Sequence, residues 1–157
     1  MEERIGGFRL TCPEGFRRMT EEETRGLTML GEGPWIGLSD PERHMIVTVG
    51  WKRLGPIVSC ILTGADLAKN AEKRIAASMK PYGFKRTEGV TRTVAGERAR
   101  GFRCTYEAQG VAMGAESCVM KRGRDTVYFH VYFRDALREE SLPVWEEILA
   151  SVCAVSE

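Results

Sequence analysis

An α+β fold built on one antiparallel β-sheet is the class this sequence predicts, and three observations predict it. Apolar residues alternate at period two through several consecutive runs of the carboxy-terminal half. Two other segments repeat their apolar residues at helical spacing and carry helix punctuation. The connections between the alternating runs are short, which makes them antiparallel neighbours, since a parallel return needs a crossover of about a dozen residues. Strands in blocks, with helices between and after them, give α+β: a sheet of about six to seven strands with helices packed on it.

Phe8 to Cys12 reads as a first strand, stopped by Pro13. Thr20 followed by Glu21, Glu22 and Glu23 is a helix start, because a threonine cap and acids in the first turn meet the free amides at the positive helix end. Leu27 and Leu30 supply its thin apolar side. Trp35 to Leu38 and Met45 to Trp51 flank the turn residues Ser39-Asp40-Pro41-Glu42-Arg43 and form a hairpin. Met45, Val47, Val49 and Trp51 share one face, and Ile46 breaks the pattern. Gly55-Pro56 ends the hairpin, and Ile57 to Leu62 fits either element type. Leu67, Ala71, Ile75 and Met79 then mark a helix, closed by Pro81 and Gly83.

Four strands follow: Phe84 to Thr93, Arg98 to Ala108, Val111 to Lys121 and Thr126 to Arg134, with turns at Ala95-Gly96, Gly110 and the polar run 121–125. In the last strand Val127, Phe129, Val131 and Phe133 point inward, and Tyr128, His130, Tyr132 and Arg134 outward. The final helix takes Ser141 or a neighbour as its cap, Pro143 in its first turn, and an apolar stripe of Leu142, Trp145, Leu149 and Val152.

A chain of 157 residues without linkers or repeats is expected to form one domain, residues 1–157. With 43% hydrophobic and 29% charged residues it is neither disordered nor fibrous, and its net charge of +1 gives no global pull toward nucleic acid or membranes. The opening residues MEERIGGFRLTCPEGF hold no apolar run of signal-peptide length, and no stretch nears the ~18 apolar residues of a membrane span. Five widely spaced cysteines without a C-x-x-C pair suit reduced thiols, so a cytoplasmic protein is expected.

Several phrases together resemble one known group: the strand GFRLTCPEGF, the hairpin WIGLSDPERHMIVTV, the helix DLAKNAEKRIAASMKPYGF, the meander containing VAGERARGFRCTYEA and the closing helix PVWEEILASV. Their order is similar to that of the PsbP/DcrB-like superfamily, which includes the extrinsic PsbP subunit of photosystem II and a nuclear-import factor that binds the GTPase Ran. The resemblance covers nearly the whole chain and implies an α/β/α sandwich around an antiparallel sheet. It implies non-catalytic binding or assembly roles and transfers no functional residue.

The residues themselves offer little for catalysis. His44 and His130 are the only histidines and lie in separate strands, which excludes a clustered metal site; no metal and no cofactor are expected. No G-x-S-x-G elbow is present, Cys104 and Cys118 fall in strands, and Glu139-Glu140 and Glu146-Glu147 diverge around the helix. The glycines of 31–37 have the wrong spacing for a phosphate cradle. No catalytic residue and no enzyme are therefore expected.

Charge is more informative. Residues 84–124 carry nine basic and four acidic side chains, and residues 135–157 one basic and six acidic. The plainer account pairs the sheet arginines with nearby glutamates. The sharper one places Arg103 beside Tyr128, His130, Tyr132 and Arg134 on one open sheet face, a mixture that protein interfaces enrich. A helix over that face would make it a second core instead. On the sharper account the chain binds a protein partner as an adaptor, chaperone or assembly factor. A homodimer is compatible, while membranes and nucleic acid are not expected. The alternative is a small-molecule or anionic-ligand domain, with or without enzymatic activity, using His130.

Overall fold

The computed structural model describes residues 1–25, 27 and 33–155. A small sheet is formed by β1 (Glu2–Ile5), β2 (Phe8–Thr11) and β10 (Cys153–Ala154), in the order β1-β2-β10. The large sheet contains β3 (Arg17–Arg18), β4 (Trp35–Asp40), β5 (Met45–Arg53), β6 (Lys85–Val94), β7 (Glu97–Ala108), β8 (Val111–Arg122) and β9 (Asp125–Arg134). Its order is β3-β4-β5-β9-β8-β7-β6, and every pairing is antiparallel. The helices are α1 (Glu21–Thr24), α2 (Pro56–Ile61), α3 (Gly64–Met79) and α4 (Arg138–Ala150).

Local chemistry accounts for most of these elements. Thr20 caps α1 and Thr63 caps α3, each in a reciprocal box with the acid three residues on, Glu23 or Asp66. Pro56 opens α2, which settles the ambiguous run as a helix up to Ile61, with Leu62 extended. The β6–β7 and β7–β8 hairpins turn on Ala95-Gly96 and Gln109-Gly110, with positive φ at all four residues, the backbone twist that two-residue hairpins need. Gly101 is required for another reason: a Cβ there would lie 1.7 Å from the backbone oxygen of Ser117 on β8.

Two expectations need correction. β1 is an additional strand that pairs with β2, so the amino terminus joins a sheet of its own. α4 begins at Arg138, with Leu137 rather than Ser141 at its cap, and Pro143 lies inside it, because the 3-10 turn Asp135–Leu137 feeds straight into the helix. Leu30, expected on the apolar side of α1, lies outside the described residues.

The large sheet is covered on both faces. One face, with Val127, Phe129, Val131 and Phe133, packs against Trp145, Ile148 and Leu149 of α4 and against Ile5, Phe8 and Leu10 of the small sheet. The other face lies under α3. Ile75 and Met79 pack on Phe102, Cys104, Ala115 and Tyr132, and Leu67 packs on Leu54 and Val119. Ile46, which interrupts the pattern of β5, is partly buried in this second core.

Candidate functional site

The five residues singled out in the sequence do not share one face. Register pairs Arg103 with Glu116 and Glu116 with Val131, so Arg103 lies on the α4 face. Tyr128, His130, Tyr132 and Arg134 lie on the α3 face, where His130 pairs with Ser117 and Tyr132 with Ala115. Arg103 therefore leaves the candidate set. The inference that grouped it took one face of the sheet as the core and the other as open; with both faces covered, the Phe102–Cys104 row lines the α3 core and Arg103 points the other way.

Arg103 has a different task. Its Nε donates to Glu116 Oε1 at 3.0 Å and its Nη1 to Glu88 Oε1 at 2.7 Å. Arg92 donates to both oxygens of Glu116 at 2.6 and 2.8 Å, and Trp145 Nε1 adds a fourth bond at 2.7 Å. Glu116 has no solvent exposure. Burial alone would raise its pKa, but the bonds from Arg92 and Trp145 outweigh that and hold it below the ordinary carboxylate range. This pairing is the plainer account of the sheet arginines. Sequence inspection missed Glu116 as its hub, although it is the one charged residue in the run Val111 to Met120 of β8.

The α3 face is closed over most of its length. His130 is 3% exposed, and its Nδ1 has no hydrogen-bond partner among the described residues; the same holds for Oγ1 of its cross-strand neighbour Thr48. Burial, aided by the Arg74 charge, pushes the His130 pKa down to about 3, so the imidazole is neutral. Arg74 of α3 also lies over the Tyr128 ring, 5.9 Å from its centroid. Cys104 is buried in the same core and its thiol is pushed up to about 12, far from a nucleophile's range. Among the described residues no group of His, Cys, Asp and Glu could hold a metal ion.

Past the end of α3 the face opens. There Ile46, Met79, Tyr82, Tyr106, Met113 and Tyr132 line a pocket of about 310 Å³. Arg134, exposed, pairs in register with Met113 and so stands beside it. Of the expected site residues, Tyr132 lines this pocket and Arg134 flanks it, while His130 and Tyr128 lie further under the helix.

No protein-family model and no curated protein sequence matches the chain. Solved structures do. LpqN of Mycobacterium tuberculosis, involved in cell envelope biogenesis, superposes with a TM-score of 0.64 at 14% identity, over 99% of this chain and 91% of that one. Cyanobacterial PsbP (CyanoP) from Synechocystis sp. PCC 6803 does so with a TM-score of 0.66 at 10% identity, over 99% and 92%. The chain has the PsbP/DcrB-like fold. The immunity protein TplEi of the type VI secretion system of Pseudomonas aeruginosa matches with a TM-score of 0.53 at 10% identity, over 89% of this chain and 54% of that one. At these identities the likeness is one of fold. No helix among the described residues is long and apolar enough to cross a membrane.

Proposed function

We propose that this chain is a non-enzymatic, single-domain binding protein, an adaptor, chaperone or assembly factor, and that its partner is a protein held at the pocket beyond α3. The observation that carries this reading is the composition of that opening: two methionines and three tyrosines around about 310 Å³, with Arg134 beside them. Methionine adapts to the shape of a partner, and tyrosine and arginine are the residues interfaces favour. The volume suits one or two inserted side chains and lies at the lower limit of small-molecule sites. The five free cysteines agree with a cytoplasmic setting.

A crosslinking amino acid at Tyr82, which is 43% exposed, tests the reading in the native cell. The expected result is one predominant protein adduct that is lost in Met113→Asp and Arg134→Glu. Adducts indifferent to both changes overturn it. The concave shape favours one second reading, a small apolar or anionic ligand. A library compound that raises the unfolding midpoint of the parent chain and leaves that of Met113→Asp unmoved would decide for the ligand.

A further inference from the structure

At the opposite end of α3, where β5 leaves the sheet and β8 turns into β9, α2 forms a convex apolar knob. None of its residues is buried: Ile57 is 74% exposed, Ile61 68% and Val58 44%. Polar bonds hold it in place from below. The Ser59 hydroxyl donates to the Gly123 carbonyl at 2.9 Å, the Lys121 ammonium donates to the Ser59 carbonyl at 2.9 Å, and Arg124 donates to the Leu54 carbonyl at 2.8 Å. The aliphatic side chains are thereby turned outward on a fixed support.

Cations surround the knob. The segments that carry it supply Lys52, Arg53, Lys121 and Arg124 against one acid, Asp125, while Arg122 lies over the Phe8 ring of the small sheet, 5.9 Å from its centroid. Among the described residues none of these four cations enters an ion pair. The neighbouring Asp66 caps Thr63 and keeps its charge, so four cations stand against two acids. Scattered exposed aliphatics are ordinary on a protein surface, but three on one six-residue helix, ringed by unpaired cations, form a patch with a definite complement. Projecting aliphatic side chains fit the boundary between headgroups and acyl chains, and unpaired Lys and Arg fit anionic headgroups.

We propose that α2 and its cationic surround dock on an anionic lipid surface, with Ile57, Val58 and Ile61 entering the headgroup–acyl boundary. The near-zero net charge of the whole chain hides this, because the attraction is local: charges further away than a Debye length of roughly 8 Å are screened. The surface is separate from the pocket beyond α3 and does not depend on what that pocket holds.

Co-sedimentation of the full chain with vesicles tests it, using phosphatidylcholine alone and an equal mixture with phosphatidylglycerol. Binding is expected to the mixture only, weakening as salt is added. Ile57→Asp with Ile61→Asp, and separately Lys52→Glu with Arg53→Glu, are each expected to reduce binding about tenfold or more. Thermal midpoints should not move, since these side chains are exposed. No binding to mixed vesicles at low salt overturns the proposal, as does binding that survives Ile57→Asp with Ile61→Asp. Self-association of the parent chain that this double substitution abolishes, without vesicle binding, would assign the surface to a second copy and likewise overturn it.

Discussion

On the α4 face of the large sheet, a carboxylate without solvent exposure is held by Arg92, Arg103 and Trp145. On the α3 face, His130 and Thr48 are about as deeply buried, yet Nδ1 and Oγ1 have no partner among the described residues. Two covered faces of one sheet thus solve the burial of polar groups differently. The first keeps a charge and saturates it; the second keeps neutral groups and leaves bonding capacity unused. A saturated charge is costly to disturb by removing one member, because the others stay behind as buried charges or donors. An unused polar atom costs stability where it stands, and removing it is favourable. The α4 network is therefore a structural clamp, and the binding we propose falls where the α3 face opens.

The largest effect that would break this comparison is at the clamp. Glu116→Ala is expected to lose about 3–5 kcal/mol in equilibrium urea unfolding, since two mostly buried guanidinium groups lose their shared carboxylate and keep only the more exposed Glu88 and Glu146. A loss below about 1 kcal/mol would mean that water or other groups already satisfy Arg92 and Arg103.

The next effect belongs to the α3 face and depends on pH. The His130 pKa is depressed from 6.5 to about 3 in the folded chain, so between those values the unfolded chain binds more protons. Stability contributed by the neutral imidazole is complete above pH 6.5 and is lost as pH falls, by about 1.4 kcal/mol per pH unit once the unfolded chain is protonated. Glu116, lowered from 4.5, contributes stability that goes only as pH drops below 4.5. The interval from pH 6.5 to 4.5 therefore separates the faces. His130→Leu should flatten the slope there, while Glu116→Gln should leave it intact. Thermal unfolding of both variants across this range decides the matter.

Two smaller changes sharpen the contrast. Trp145→Phe keeps a ring in the α4 core but removes one donor from Glu116, and a loss of about 1.5–3 kcal/mol is expected by denaturant titration. Thr48→Val replaces a buried hydroxyl with a methyl of similar shape and should stabilise by about 1 kcal/mol, raising the thermal midpoint. If Thr48→Val destabilises instead, that hydroxyl is bonded in solution and the contrast between the faces is weaker than it looks.

Alternation made most of the large sheet legible. The β4–β5 hairpin, the four-strand meander and α3 with Leu67, Ala71, Ile75 and Met79 inward all follow from local periodicity and turn chemistry. The four alternating residues of β9 do share a face, as period two requires. The candidate site was legible only within that strand: Tyr132 and Arg134 stay near an opening, Tyr128 and His130 go under α3, and Arg103 leaves for the other side. The pocket residues Ile46, Met79 and Met113 carried no signal of a site, since each reads as ordinary core.

The chain's local pattern by itself determined the β4–β5 hairpin, the four-strand meander, α3 and which side chains lie together along each strand, because those depend on spacing and on steric preferences of neighbouring residues. Tertiary structure alone decided how the strands align and what lies over each face. Register between β7, β8 and β9 sets Arg103 against Glu116, and the placement of α3 turns an apparently open aromatic face into a core. Alternation distinguishes two faces and is silent on which of them meets water, and that depends on elements far away in the chain.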